Sequence, residues 1–156
     1  MSKIAETSQE LASYPILADR FYDREHHMWA YADLPQPQQV RVGMDVLGLI
    51  ALGDLAYVTL QAIGTTVRRG QSIGTLEAAK MTGDLIAPIS GTIVARNEAA
   101  VSNPALVNQA PYTDGWLVVI EPAAWASESL QLVGGSDLPT WVAAEMKRYR
   151  EQGWID

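Results

Sequence analysis

The chain has no cysteine, only three lysines, and a deficit of positive charge. Without cysteine it cannot form a disulfide, a thiolate metal site or a thiol nucleophile, so redox chemistry would have to come from a bound group. The formal net charge of −7 disfavours contact with phosphate backbones and anionic lipids, so we expect no nucleic-acid or membrane partner. The sequence contains neither a run long enough to span a membrane nor a signal-like N-terminus, which predicts a cytoplasmic protein.

The three lysines are unevenly distributed along the 156 residues. Lys3 and Lys147 lie near the two ends, so Lys80 is the one lysine of the central part. An isolated lysine is ordinarily a solvated surface charge, and only the residues around Lys80 indicate a different role.

From Val40 onward, short β-prone runs alternate with turn residues, which is typical of a small all-β sandwich or barrel. The predicted strands are residues 40–42, 56–60, 72–76, 84–87, 91–96 and 116–120. Glycines punctuate these runs, at positions where turns need positive φ or a close approach of the backbone. The sequence therefore predicts a mainly β fold.

Two stretches predict helices. Residues 45–52 are apolar enough for a short buried helix, with Asp45 as a plausible N-cap. Ser136 or Asp137 can cap a second helix that Gly153 ends. Apolar residues at helical spacing give this second helix one stripe, which predicts that it packs on the sandwich. The stripe consists of Leu138, Trp141, Val142, Met146 and Tyr149.

We divide the chain into three parts on this basis. Residues 1–20 have little periodicity and are predicted to be an N-terminal arm, either loose or a short helix laid on the body. Residues 21–125 form the predicted β domain, and residues 126–156 form a C-terminal extension with a helix at 137–152.

The β-prone runs on either side of Lys80 predict a hairpin with residues 77–83 at its tip. A lysine near the apex would point into solvent on a rigid support, where a modifying enzyme can reach it. Ala78 and Ala79 leave the apex uncrowded, and Glu77 offers a carboxylate for recognition. A cofactor joined to Lys80 by an amide would extend roughly 14 Å, which suits group transfer between separate active sites.

This segment resembles the attachment hairpin of the biotinyl/lipoyl family, and in particular that of glycine cleavage H proteins. The hairpin residues that carry the resemblance are Glu77, Lys80, Asp84, Leu85, Ala87, Pro88, Ser90 and Gly91. Further matches follow in the H-protein order, at Asn97, Asn103, Pro104, Leu106, Val107, Asn108, Pro111, Tyr112, Gly115, Trp116 and Leu117. With an upstream entry strand around YDREHHMW, the resemblance covers residues 22–122.

The resemblance implies a lipoyl-type hybrid β-sandwich or barrel that acts as a non-catalytic shuttle and not as an enzyme. It implies lipoate in amide linkage to Lys80, with Glu77 recognised by a lipoate–protein ligase or lipoyl transferase. It also implies a cleft that receives the arm, with His27, Met28 and Asp84 at its walls. No metal site is expected.

Two departures from the H-protein pattern bear on the cargo. The entry motif usually reads His-Glu-Trp, but here it is His27-Met28-Trp29, so a thioether replaces a carboxylate. A thioether accepts hydrogen bonds only weakly, which predicts weaker capture of a cationic amine, with Asp84 as the one matched carboxylate. Residues 45–52 are apolar where H proteins usually have polar residues, which predicts a different docking surface or tighter burial.

These departures favour an H-like lipoate-binding protein of heterodisulfide-reductase-like sulfur oxidation. Its arm would carry sulfur, and its partner would be a heterodisulfide-reductase-like complex. The alternative is a genuine glycine cleavage H protein, which carries aminomethyl among the P, T and L proteins.

A biotin carrier is a less favoured alternative. Biotin carriers read Glu-Ala-Met-Lys-Met at the attachment site, and this chain keeps Met81 but has Ala79 in place of the first Met. Residues 97–116 have no counterpart in biotin carriers. A lipoyl carrier, a biotin carrier and an unmodified structural homologue would share the same fold. Fold alone therefore does not decide among these three.

Overall fold

The computed structural model describes residues 15–156, so residues 1–14 of the predicted arm lie outside the described part. The rest of the arm lies against the body. Ile16 is buried, and the Tyr22 hydroxyl donates to the Leu17 carbonyl at 2.7 Å. The Tyr112 hydroxyl donates to the Pro15 carbonyl. The arm is therefore fixed to the body from residue 15 onward.

The described residues form nine strands in two antiparallel sheets, which confirms the mainly β prediction. The strands are β1 Phe21–Tyr22, β2 Met28–Tyr31, β3 Val40–Met44, β4 Leu55–Leu60, β5 Thr66–Val67, β6 Ser72–Ala78, β7 Thr82–Ile86, β8 Gly91–Arg96 and β9 Val118–Pro122. One sheet has six strands in the order β1-β2-β3-β9-β8-β5, and the other has three in the order β4-β6-β7. Strand β7 is thus an edge strand of the smaller sheet.

Among residues 15–156 both predicted helices are present, together with three short α-helices that the sequence did not predict. The helices are α1 Val46–Leu52, α2 Glu98–Ser102, α3 Ala105–Gln109, α4 Trp125–Glu128 and α5 Leu138–Gln152. Helices α2 to α4 span one turn or slightly more, too short for a helical period to show in the sequence. None of the described helices is long and apolar enough to cross a membrane.

The start of α1 and the end of α5 follow their local chemistry, whereas Asp137 lies at the N-cap position of α5 without a side-chain capping hydrogen bond. Asp45 caps α1, because its Oδ1 accepts from the Gly48 backbone N–H at 2.9 Å. Helix α5 ends at Gly153, which has a φ of 76°. Glycine adopts this left-handed conformation without strain, and a helix commonly ends there.

The entry strand predicted around YDREHHMW is broken in two. Strands β1 and β2 are separated by a tight turn in which Asp23 Oδ1 accepts from the backbone N–H groups of Glu25 and His26, each at 3.0 Å. His27 has a φ of 57°, so this pair of histidines lies in a turn and not on a strand. Elsewhere the prediction missed the two-residue strand β5 and placed the start of β9 at residue 116.

The core consists of two clusters. The first lies between the sheets and includes Val42, Ile73, Leu85 and Ile120. The second lies under α5 and includes residues from β1, β2, α1 and α5. Its members are Ile16, Tyr22, Trp29, Leu47, Val133, Leu138, Val142, Met146 and Tyr149.

The second cluster explains the apolar sequence of α1. The Tyr149 hydroxyl of α5 donates to the Leu47 carbonyl at 2.8 Å, and both residues are buried. Leu47 packs in this cluster under α5 and Leu49 packs in the first cluster, so α1 is buried on two sides, which supports the prediction of tighter burial. The division into a domain at 21–125 and an extension at 126–156 stays a prediction.

Candidate functional site

Lys80 lies in the tight turn that joins β6 to β7. The Ala78 backbone N–H donates to the Met81 carbonyl at 2.9 Å and closes the turn. Lys80 is exposed in the middle of it, at the place where the sequence predicts the hairpin tip. The two strands hold the turn on a ladder that is regular from Gly74 opposite Leu85 to Glu77 opposite Thr82, with a register shift between Ser72 and Gly74.

The hairpin tip is docked on the C-terminal end of α1. The backbone N–H of Lys80 donates to the Leu52 carbonyl at 3.0 Å, and Lys80 Nζ donates to the Ile50 carbonyl at 3.1 Å. The last carbonyls of a helix lack partners within the helix and carry partial negative charge, so they suit an ammonium group. A neighbouring bond from the Ala79 N–H to the Asp54 carbonyl, 3.0 Å long, completes a rigid support for the tip.

Glu77 lies three residues before Lys80, on the solvent face of the smaller sheet. It pairs with Tyr57 on β4 and with Thr82 on β7. Directly paired residues of antiparallel strands project to the same face. Glu77, Tyr57 and Thr82 are all exposed, so the carboxylate is accessible beside the tip.

A cleft of about 270 Å³ opens beside the tip. All three predicted cleft residues, His27, Met28 and Asp84, line it. Most of the other lining side chains are apolar, among them Met44, Leu52, Leu76, Met81 and Ile86. The geometry therefore brings together the residues that sequence analysis assigned to an arm cleft.

The carboxylates of the cleft differ from the prediction. Met28 is fully buried in the core between the sheets, so its thioether forms part of the cleft floor. Asp84 lies on edge strand β7, where its Oδ1 accepts from the Ser72 hydroxyl at 3.1 Å. Sequence analysis missed Glu25, which also lines the cleft. The cleft therefore has two wall carboxylates although Met28 supplies none.

His27 is fully engaged by two carboxylates. Its Nδ1 lies 2.9 Å from Asp45 Oδ2, and its Nε2 lies 2.7 Å from Glu145 Oε1. Burial opposes protonation, but the attraction of Asp45 and the hydrogen bonds to Asp45 and Glu145 raise the pKa of His27 to about 9. The ring is thus an imidazolium that donates both N–H groups, and it has no free nitrogen for a ligand.

Glu145 contacts both His27 and Arg148, which lies one turn further along α5. Burial opposes ionisation of Glu145, but hydrogen bonds from His27 and Arg148 lower its pKa to about 2. Arg148 Nε lies 2.8 Å from Glu145 Oε2. Burial also raises the pKa of Asp45, and the His27 imidazolium opposes that rise.

Sequence analysis did not assign any residue of the C-terminal extension to the cleft. Arg148, Tyr149 and Trp154 line one side of it. The signal available was Glu145, a carboxylate on the apolar stripe of α5 at helical spacing from Val142 and Tyr149. A charged residue on a buried face requires a partner, but sequence spacing does not show that the partner is His27.

The chain is similar to proteins of known family over most of its length. Residues 20–144 match the family model of the glycine cleavage H-protein. A glycine cleavage system H protein of Thermus thermophilus is 40% identical over 104 residues, which are 67% of this chain and 78% of that protein. The H protein of Synechococcus sp. (strain WH7803) is 34% identical over 126 residues, which are 81% of this chain and 95% of that protein.

A solved structure is similar as well. The crystal structure of a glycine cleavage system H protein from Mycobacterium marinum has a TM-score of 0.64 and 42% sequence identity, and the match covers 69% of this chain and 87% of that one. The family match ends at residue 144. Glu145, Arg148, Tyr149 and Trp154 therefore lie beyond the matched residues.

Proposed function

This chain belongs to the glycine cleavage H-protein family, and on that premise we propose that Lys80 carries a lipoyl group for transfer between partner enzymes. Members of the family are non-catalytic carriers whose lipoyl group is bound covalently to a lysine, so the chain is a carrier and not an enzyme. When bound, the lipoyl group would supply a cyclic disulfide whose S–S bond opens as one sulfur takes up the transferred group and the other becomes a thiol.

The residues around Lys80 fit such a group. The observation that carries the proposal is that Lys80 stands at a rigid hairpin tip whose next residue, Met81, already lines the apolar cleft. The volume of about 270 Å³ lies just below the range of about 300–1,000 Å³ typical of small-molecule pockets, which suits a slim unbranched chain. The side chains hold the tip and line the cleft.

Lys80 also has the environment that attachment requires. The amine is exposed, and its single described bond, to the Ile50 carbonyl, is easily exchanged for water. Lys147 lies on the exposed face of α5, 4.0 Å from Glu151, without a hairpin around it. We propose Glu77 as the carboxylate that the lipoate–protein ligase or lipoyl transferase recognises.

We further propose glycine cleavage as the pathway, with the P, T and L proteins as partners. The family match and the relatives support this alternative and lend no support to the sulfur-oxidation hypothesis that the sequence favoured. The carboxylates of the cleft also favour the glycine-cleavage alternative. Because Met28 replaces a carboxylate, the sequence predicted that Asp84 would be the one carboxylate facing a cationic cargo. In the structure Glu25 and Asp84 both line the cleft.

Mass spectrometry of the native protein tests the attachment. We expect lipoyl on Lys80, no modification of a Lys80→Arg variant, and unchanged thermal unfolding of that variant, since an exposed position contributes little packing. Biotinyl at Lys80 would establish a biotin carrier, an unmodified native protein would favour a structural homologue, and lipoyl on Lys3 or Lys147 would contradict the assigned site.

Glycine–bicarbonate exchange tests the pathway. The lipoylated protein is assayed beside the Thermus thermophilus H protein at equal lipoylation, with the same P protein. We expect exchange rates within about tenfold of each other, a difference of about 1.4 kcal/mol. No exchange with a fully lipoylated protein would contradict glycine cleavage and favour sulfur carriage, for which the thioether of Met28 is suited.

A further inference from the structure

The C-terminal end of α5 is shaped to place Trp154 at the cleft. The Gly153 N–H donates to the Arg150 carbonyl at 3.0 Å, and the Trp154 N–H donates to the Tyr149 carbonyl at 2.9 Å. With the left-handed φ of Gly153, these bonds form a Schellman-type C-cap that turns the chain back on the helix. The direction of Trp154 is thus set by backbone bonds.

The indole of Trp154 rests on a fixed residue. It meets the Tyr149 ring edge-on, with ring centroids 5.0 Å apart and an interplanar angle of 83°. Tyr149 is buried and bound through its hydroxyl to Leu47. Trp154 nevertheless keeps 39% of its surface exposed where it lines the cleft. An anchored aromatic with a free surface beside a cavity is suited to cover an apolar ligand.

The hairpin supplies a second exposed apolar group to the same cleft. Met81, the neighbour of Lys80, is 53% exposed and also lines it. Met81 and Trp154 belong to elements that are both hydrogen-bonded to α1. The hairpin tip is hydrogen-bonded to the end of α1, and α5 is hydrogen-bonded to Leu47 of α1. An apolar arm that starts at Lys80 and enters the cleft passes Met81 first, and Trp154 is one of the residues that line the cleft it enters.

We propose that Trp154 covers the lipoyl group when the arm lies in the cleft, and so shields its sulfur atoms from solvent. The proposal rests on the attachment to Lys80 proposed above. It goes further, because Trp154 lies beyond the residues that match the H-protein family. Residues beyond position 144 thereby add a wall to the cleft that the matched part of the chain does not provide.

Thiol accessibility tests this role. Lipoylated protein is reduced, and the rate at which iodoacetamide alkylates the dihydrolipoyl thiols is measured at fixed pH for wild type, Trp154→Ala and Trp154→Phe. We expect about tenfold faster alkylation in Trp154→Ala, equivalent to about 1.4 kcal/mol of lost protection. Trp154→Phe should recover most of the protection. Leu130→Ala is the matched control, since Leu130 is apolar, 80% exposed and outside the cleft lining, and it should alkylate at the wild-type rate.

A second readout does not depend on the alanine variant folding. A nearby disulfide quenches indole fluorescence, so oxidised lipoylated wild type should be dimmer than its unlipoylated Lys80→Arg counterpart, and the Trp154→Phe background should abolish that difference. Equal alkylation rates in all variants would overturn the role of Trp154 while leaving the carrier function intact. A fluorescence difference between lipoylated and unlipoylated protein that persists in the Trp154→Phe background would do the same. Absence of lipoyl from Lys80 would overturn both.

Discussion

Met28 shows how burial changes the meaning of one substitution. From the sequence, Met28→Glu restores a carboxylate for a cationic cargo, and a charge-assisted contact would improve capture. In the structure Met28 has no exposed surface and packs between the sheets. A carboxylate there loses its hydration, so any gain in cargo binding is set against a loss in stability.

We therefore predict that Met28→Glu lowers the free energy of unfolding by at least about 2 kcal/mol. Met28→Leu, which keeps the volume, should cost less than about 1.5 kcal/mol. Urea denaturation of the three proteins at pH 7 measures both. If Met28→Glu is as stable as Met28→Leu, water reaches the cleft floor and the carboxylate is hydrated there.

We expect Glu77 to affect recognition by the lipoylating enzyme and not the stability of the fold. It is exposed between Tyr57 and Thr82 and beside the tip. We predict that Glu77→Ala slows lipoylation by a lipoate–protein ligase several-fold while changing stability by less than about 0.5 kcal/mol. The control is Glu121→Ala, an exposed carboxylate on β9 of the other sheet. Equal modification rates for the two variants would exclude recognition through Glu77.

At the scale of elements, three parts of the fold meet at His27. The turn before β2 supplies the ring, α1 supplies its N-cap Asp45, and α5 supplies Glu145. The folded pKa of His27, about 9, lies above its ordinary value of 6.5, so its contribution to stability is complete below pH 6.5 and is lost as pH rises through 9. The pKa of Glu145, about 2, lies below its ordinary value of 4.5, so its contribution is complete above pH 4.5 and is lost as pH falls through 2.

We predict that Glu145→Gln destabilises the protein by about 1–3 kcal/mol at pH 6 and by less above pH 9, where His27 is neutral in wild type as well. The His27 pKa, followed by NMR, should fall in this variant because one of its two carboxylates is gone. Glu151→Gln on the exposed side of α5 is the control and should alter neither quantity. A constant difference across the pH range would mean that His27 does not carry the effect.

At the scale of the whole molecule, α5 completes the core. Four of its apolar residues, Leu138, Val142, Met146 and Tyr149, are buried against the second cluster. Fully burying such a side chain contributes about 1.5–3 kcal/mol, and whole domains are stable by only about 5–15 kcal/mol. Two of the four, Met146 and Tyr149, lie beyond the family match at residues 20–144, so the core of the matched part also depends on residues outside that match.

We predict that a chain ending at Gly134 loses most of its stability. Removal of α5 exposes Leu47, Trp29 and Tyr22 and leaves His27 with Asp45 alone. The measurements are thermal unfolding, binding of a hydrophobic dye and gel filtration, and we expect dye binding and aggregation. Lys147→Ala, on the exposed face of α5, should unfold like wild type. A truncated chain that unfolds cooperatively at the wild-type temperature would show that the sandwich is self-sufficient.

Features that depend on neighbouring residues can be predicted from local patterns in the chain. The hairpin around Lys80, the N-cap of α1 at Asp45 and the end of α5 at Gly153 all follow from turn, cap and periodicity signals within a few positions. The alternation of β-prone runs and turn residues predicted the mainly β fold, and the ordered motif from Glu77 to Trp116 predicted the family. It also placed Lys80 where the structure has it, exposed at a tip.

Features that join distant residues depend on how the whole chain packs. His27 contacts Asp45, 18 positions away, and Glu145, 118 positions away, and no local pattern encodes either pairing. The burial of Met28, the entry of Glu25 into the cleft and the position of Trp154 depend likewise on how the turn before β2 and the end of α5 pack around α1. Local propensity acts over one turn of helix or one strand pair, whereas the walls of the cleft come from segments that become neighbours only when the core closes.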